Sequence, residues 1–399
     1  MRKPYIYIIL ASSGLIAATL GMVNNVAGIY FTPIAEDFGV GIGATSLTLT
    51  ISNYMFAISG ILVPRLLKTV SFRKILFIGT LGVVLGTAGL SVAASLPVLY
   101  LFNILRGFSC GLISLVQVTM LINYWFRSGV GLITSLVIGC SGITGAVFSP
   151  VMTSIIQMSG WRTSYLLGAV IMAVMLLPAL LLPIRLTPEE MDMEPYGKGA
   201  ETATESAEPS SSTAHISPLL FLLVLISGVA ASFVTSFPPH LPSLAEASAF
   251  SAGVGSAMLS VCMIINTAGK VVLGVLSDVF GSKRAILLFG ILVISGICLL
   301  LFVPQPTISI VAAALLGFSF SLPTVGIVLM IRGLFGTENY GSVYPKISMA
   351  ITITSASGYF IIGLLYDLSG SCRLNLWLML GLLVLMTLMV FQAYRSGTK

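Results

Sequence analysis

The chain has 399 residues, 57% of them apolar and only 8% charged, with a mean hydropathy of +1.06. A soluble domain of this length carries roughly a quarter charged residues, so the composition excludes a water-facing globule and requires a surface that meets lipid. The formal net charge of +6 rests on cations too few and too scattered to track a phosphate backbone, which excludes nucleic acid as a partner.

The first apolar stretch, Tyr5 to about Tyr30, is too long for the ~7–15-residue core of a secretory signal and lacks a small-residue cleavage pattern. It reads as the first spanning helix. A span needs about 20 mainly apolar residues, and that ruler places the next spans at 44–64, 75–94, 97–122, 129–156 and 164–183. After a break they resume at 218–240, 251–276, 285–303, 307–333, 341–366 and 374–394. The break contains GKGAETATESAEPSSSTAH, rich in Ser, Thr, Ala and Glu with no apolar period, so it is expected to be a disordered tether. With the N-terminus placed in the cytoplasm, fourteen Lys and Arg residues fall inside and only Arg162 and Arg373 outside. That asymmetry is a strong positive-inside signal. It predicts a multi-pass protein of the cell (inner) membrane with both termini cytoplasmic.

The two halves resemble each other at a shift of 210 residues. LRGFSCGL (105–112) lies over LLGFSFSL (315–322), Gly131 over Gly341, Ser159-Gly160 over Ser369-Gly370, and Arg73-Lys74 over Lys283-Arg284. One offset serving four separated places is hard to ascribe to chance. The expected fold class is an all-α membrane protein with twelve transmembrane helices in two six-helix pseudo-repeats. Its parts are an N-terminal bundle (1–184), a disordered cytoplasmic linker (185–217) and a C-terminal bundle (218–399). Parallel repeats of this kind characterise rocker-type transporters, whose substrate site is expected between the halves near the bilayer midplane.

GVLSDVFGSKR (274–284) resembles the cytoplasmic loop motif of the major facilitator superfamily, and this fits the twelve-helix pattern. The resemblance implies a gating role for Asp278, Gly281, Lys283 and Arg284: the Asp caps and pairs, and the basic residues anchor the cytoplasmic end. The matching loop GILVPRLLKTVSFRK (60–74) keeps the basic end but has Pro64 where the motif has Asp, which implies a weaker inner lock in the N-terminal half. Within the superfamily, IYFTPIAEDFG (29–39), NYWFRSGVGLITS (123–135) and SGWR (159–162) are similar to the monocarboxylate and oxalate/formate antiporter branch. Drug/proton antiporters usually carry a Gly-Pro pair midway along the fifth helix, and GCSGITGAVFSP (139–150) lacks it there.

After topology has claimed its cations, Arg106, Lys270 and Lys346 remain within the spans. All thirteen acidic residues fall in loops, the tether or helix ends. Ionisable groups at depth are costly and usually face a cavity with a partner, so cations without carboxylates invite an anion as substrate. Lys270 lies eight residues before Asp278, roughly 12 Å from the cytoplasmic boundary at 1.5 Å per residue. The monocarboxylate resemblance implies a substrate-binding cation at this position, commonly Arg. Lys keeps the charge and loses the bidentate fork. The competing reading is a lysine snorkelling to the inner interface. Lys346 has the same two readings, and the oxalate/formate resemblance places its lysine one residue further on. Arg106 belongs to a stripe with Asn103, Cys110, Ser114 and Gln117 at helical spacing. It either lines the cavity or ties down neighbouring carbonyls. Asn24, Asn25 and Tyr344 complete the substrate-binding candidates, with helix packing as the alternative for the asparagines and an interfacial role for the tyrosine.

Five cysteines without metal-like spacing and two histidines offer no metal site, and no cofactor is expected. No nucleophile–base pair or phosphate loop indicates an enzyme. The expected function is alternating-access transport of a mono- or dicarboxylate, by anion exchange or uniport, as a monomer in the lipid bilayer. A drug or neutral-solute efflux carrier, a proton-coupled monocarboxylate symporter and a non-transporting receptor on the same scaffold are the rivals.

Overall fold

The computed structural model describes residues 2–127, 130–182, 184–191, 193–196 and 217–397; the expected disorder of 197–216 lies outside the described residues. In the first half the helices are α1 (Arg2–Asn25), α2 (Phe31–Phe38), α3 (Ile42–Leu66), α4 (Phe72–Ser91), α5 (Leu96–Leu112), α6 (Leu115–Trp125) and α7 (Val130–Leu181). The second half has α8 (Pro218–Val234), α9 (Leu241–Ala247), α10 (Ala252–Phe280), α11 (Ser282–Phe302), α12 (Pro306–Gly317), α13 (Ile327–Ser369) and α14 (Arg373–Gly397). Prolines open α5, α8 and α12 at their first turns, where the missing N–H is no loss.

Among the described residues, eleven helical runs are long and apolar enough to cross a membrane. One of them, Ile133–Leu181, has 49 residues; straight, it would reach roughly 70 Å, more than twice the hydrocarbon core. It turns at Gly160 (φ 80°, ψ 165°), so ten single spans plus two give twelve. Apolar side chains cover the lipid face. On α10, Val271, Val275 and Val279 are exposed at i, i+4 and i+8, while Asn266, Gly269, Leu273 and Ser277 are buried on the opposite side.

Several spans are not the continuous helices that the apolar ruler gives. The first breaks after Asn25 into a 3-10 turn, Ala27–Tyr30, before α2. The fourth breaks at Ile113–Ser114, where Ser114 is extended (ψ 165°) and starts α6. The tenth passes through a π-helical segment, Leu322–Gly326, containing Pro323. Hydropathy measures how apolar a segment is and is blind to such breaks. Proline and freed carbonyls are tolerated in a span where neighbouring groups meet the backbone again.

The chain divides into two compact units, Met1–Val40 with Leu47–Thr204, and Gly41–Ser46 with Glu205–Lys399. In the first, α1 lies against α7 so closely that a Cβ on Gly21 would sit 2.6 Å from the Ser141 Cα. Arg162 is held by Asp37 at 2.7 Å, by the Ala93 carbonyl at 3.3 Å and over the Trp161 ring at 4.2 Å. It thereby joins α2 and the end of α4 to the Gly160 turn. In the first part of the expected linker, Arg185 and Tyr196 are held against α6 and the residues that follow it. Tyr196 N–H donates to the Trp125 carbonyl and Arg127 N–H to the Tyr196 carbonyl, both at 2.8 Å. The Trp125 indole donates to the Arg185 carbonyl at 3.1 Å. Three paired backbone groups and an edge-on Phe126–Tyr196 ring contact hold these two residues in place. In the second unit, the Asp367 carboxylate accepts the Ile42 and Gly43 N–H groups, each at 2.7 Å.

The 210-residue offset reappears in the backbone. Gly160 and Gly370 both have positive φ, and so do Gly39 (62°) and Ala249 (57°). The hydrogen bonds of the second pair match as well: Val40 to Ala35 and Phe250 to Ala245, Gly39 to Glu36 and Ala249 to Glu246. An alanine held left-handed carries about 1–2 kcal/mol of strain that glycine avoids. Gly39→Ala is expected to lower stability by about 1 kcal/mol, and Ala249→Gly to raise it by less, since glycine also loosens the unfolded chain. Thermal midpoints of the two single variants check this, and a midpoint that falls in Ala249→Gly would refute it.

Candidate functional site

Buried polar residues are spread along the spans of both units, and each unit holds one group that contains a candidate cation. In the first unit, Arg106 is 4% exposed and one of its terminal nitrogens donates to Asn103 Oδ1 at 2.6 Å. Tyr165 lies beside it, with the guanidinium carbon 6.0 Å from the ring centroid, and Cys110 is buried nearby. The stripe expected from the sequence stops there. Ser114 and Gln117 close the helix break: Ser114 donates to Gln117 Oε1 at 2.8 Å, and Gln117 donates to the Leu112 carbonyl at 2.5 Å. A cavity of about 10 Å³ adjoins Arg106, the space of one water. Asn24 bonds within its own helix, to the Leu20 carbonyl at 3.2 Å. Asn25 crosses to the Ser141 carbonyl at 2.9 Å, fastening α1 to α7 where the helix ends.

In the second unit, Lys270 is half-buried on α10, at the border between its lipid face and its interior face. Its ammonium pairs with no carboxylate and no hydrogen-bond acceptor among the described residues. One turn earlier on the same helix, Asn266 is 7% exposed and its Oδ1 has no partner. Opposite this stretch, Gly269 brings α10 close to the chain around the π-helical segment. A Cβ there would lie 2.9 Å from Ser321 Oγ and 3.0 Å from the Phe318 ring. Ser319 and Ser321 are buried, and their hydroxyls have no partner. Buried polar atoms are paired in the large majority of cases. Three unpaired oxygens therefore lie within or against the stretch of α10 that carries Lys270, or in the short turn packed on it at Gly269. Asn266, four residues before Lys270 on one helix face, was not singled out in the sequence. Ser319 and Ser321 were not singled out either, because isolated serines in an apolar helix carry no signal; the packing at Gly269 is what brings Ser321 against α10.

Lys346 is exposed on α13 and makes no ion pair among the described residues. Tyr344 stacks on Tyr340, centroids 5.0 Å apart, and Arg332 lies over the Tyr340 ring at 5.3 Å. Of the gating residues, Gly281 ends α10 at φ 84°, a conformation that favours glycine. Lys283 sits over the Phe391 ring at 4.3 Å. Asp278 and Arg284 are exposed, and neither pairs with a side chain among the described residues. His240, the second histidine of the chain, is 2% exposed and its Nε2 is bonded to the Tyr359 carbonyl at 3.0 Å. No cluster of metal-ligating side chains occurs among the described residues.

The sequence matches the family described as the Major Facilitator Superfamily over residues 13–241 and 220–398. It is 25% identical over 381 residues to the uncharacterized MFS-type transporter YcxA of Bacillus subtilis (strain 168), covering 91% of this chain and 83% of that one. To the uncharacterized MFS-type transporter YhjX of Escherichia coli (strain K12) it is 24% identical over 230 residues, 55% of this chain and 54% of the relative. Among solved structures, a bacterial homologue of the human lysosomal transporter Spinster, inward-facing and unoccupied, aligns with a TM-score of 0.72 at 14% identity. That alignment covers 100% of this chain and 98% of the other. A D-xylose–proton symporter aligns at 0.74, with 14% identity and 97% of both chains covered. At such identity the structural matches establish the shared fold and leave the substrate to the site itself.

Proposed function

Because the chain belongs to the Major Facilitator Superfamily, a family of membrane transporters and not of enzymes, we propose that it moves a small organic anion, a mono- or dicarboxylate, by alternating access. The observation that carries this reading is Lys270, a cation within a membrane span and without a carboxylate partner; Asn266, one turn away on the same helix, and Ser319 and Ser321, in the chain packed at Gly269, have unpaired oxygens. The ammonium supplies the charge, and the amide and hydroxyls supply hydrogen bonds to a carboxylate's remaining lone pairs. Lys346, with Tyr344 two residues before it, is the second cation on this route, and Asp278, Gly281, Lys283 and Arg284 form the cytoplasmic gate. The likeness of 29–39, 123–135 and 159–162 to the monocarboxylate and oxalate/formate branch supports the same substrate class.

The acidic residues stand at helix ends or in loops and His240 is committed to a backbone carbonyl, so among the described residues no carboxylate or free imidazole deep in a span is placed to carry a proton. That favours anion exchange or uniport over proton symport. The positive-inside distribution supports an inner-membrane protein with cytoplasmic termini, working as a monomer.

The test is thermal stabilisation of the purified protein by a panel of small carboxylates, neutral solutes and organic cations. A ligand of the folded state raises the midpoint by mass action. A carboxylate that stabilises the wild type and not Lys270→Gln names the substrate class and its anchor. A response confined to neutral or cationic compounds would replace this proposal with solute efflux.

A further inference from the structure

The start of α3 is capped by a residue far away in the sequence. The first turn of a helix leaves N–H groups with no partner inside it, and a side-chain oxygen just before the helix usually takes one of them. The 210-residue offset offers an internal comparison, since it lays Ile42, the first residue of α3, over Ala252, the first residue of α10. Before α10 stands Ser251, whose hydroxyl accepts the Val254 N–H at 3.4 Å. Before α3 stands Gly41, which has no side chain to do the same. Asp367 of α13 takes that place: one carboxylate oxygen accepts the Ile42 N–H and the other the Gly43 N–H, each at 2.7 Å. The carboxylate also meets the positive end of the helix dipole.

The surroundings are fitted to this contact. The nearest atoms that a Cβ on Gly41 would meet all belong to the Asp367 carboxyl group, and a Cβ on Gly43 would lie 3.0 Å from the Leu364 nitrogen. From the other side, a Cβ on Gly363 would lie 2.9 Å from the Gly43 Cα and would strike the Ser46 hydroxyl. Glycine on both sides lets the two helices touch along their backbones, and Ser46 is fully buried at that crossing. The contact lies within the second unit, which takes in Gly41–Ser46, while α3 from Leu47 onward belongs to the first. A local cap such as Ser251 travels with its own helix. A cap borrowed from α13 can be withdrawn, and of the two equivalent helices it is α3 that borrows one.

We propose that Asp367 is a releasable latch: its carboxylate fastens the first turn of α3 to α13 in this structure and lets go when the transporter changes state. The latch rests on the alternating-access part of the proposed function and on no particular substrate.

Ser46→Cys in the full-length protein reads the latch through the reaction of the introduced thiol with a water-soluble maleimide. The rate is measured above that of the five native cysteines, with no substrate present. The thiol should react slowly while Asp367 is in place and about tenfold faster in Asp367→Ala, the scale of a carboxylate's attraction to a helix N-terminus. Adding Gly41→Ser to Asp367→Ala supplies a local cap like Ser251 without restoring the fastening. The thermal midpoint lost in Asp367→Ala should then recover while the thiol stays reactive. An unchanged rate in Asp367→Ala would overturn the proposal, because the carboxylate would not govern the crossing. A rate brought back to the original level by Gly41→Ser would overturn it too, by reducing Asp367 to a helix cap. A carboxylate panel that gave no stabilisation would remove the proposed substrate class and leave these rates as expected.

Discussion

Lys270→Gln is expected to reduce carboxylate exchange into proteoliposomes by about 100-fold, with the protein still folded and inserted. Truncating one partner of a desolvated, hydrogen-bonded charge pair costs about 2–5 kcal/mol, roughly 30-fold to several thousand-fold at 1.4 kcal/mol per decade. Glutamine keeps most of the length and leaves the Asn266 and Ser321 oxygens in place, so the loss reports the charge. The folded protein should not suffer, because the lysine has no internal partner to strand. Lys270→Arg should recover most of the flux, since the charge is kept while its hydrogen-bond geometry changes. Unchanged carboxylate flux in Lys270→Gln would end the anchoring role and favour the snorkelling reading of this residue.

The second large effect is on stability. Gly107→Val in α5 is expected to cost about 3 kcal/mol, the upper range for overpacking. Even a Cβ at this position would lie 2.6 Å from the Ser52 Cα and also meet the Ser52 carbonyl oxygen. Both obstacles are backbone of α3 and cannot swing aside. One turn on, Gly111 faces the Phe56 carbonyl in the same way, with 2.5 Å between that oxygen and a built Cβ. Small residues four apart let two membrane helices touch along their backbones. Gly274 in α10 is the control, because a Cβ there meets nothing within 4 Å. Gly274→Ala should be neutral or gain up to about 1 kcal/mol of helix propensity. A thermal midpoint for Gly107→Val as high as for Gly274→Ala would refute the contact.

How far the sequence carried depended on what kind of signal each feature leaves. Hydropathy located the spans, and the repeat placed Ser159-Gly160 over Ser369-Gly370, a pair whose glycines both turn left-handed. The equivalent pair Gly39 and Ala249 escaped notice because alanine does not announce positive φ. The helix break at Ile113–Ser114 also escaped, and with it the fate of Ser114 and Gln117. Both fit a polar stripe by spacing, and both close the break. Lys270 stood out as a charge in an apolar run. Ser321 comes from another element, so only packing around Gly269 reveals its place against α10.

The anchoring of Tyr196 beside α6 changes what a tag or a cut in the middle of the chain would report. Tyr196 is tied by two backbone hydrogen bonds to the Trp125–Arg127 stretch, and the Trp125 ring in turn lies 4.9 Å from Tyr5. A fluorophore inserted directly after Tyr196 starts from a fixed point beside α6, thirteen residues beyond where the sixth span was expected to end. Its emission would follow local movements at that end of the first bundle, and labelling there offers a reporter for transport-linked motion without touching any spanning helix.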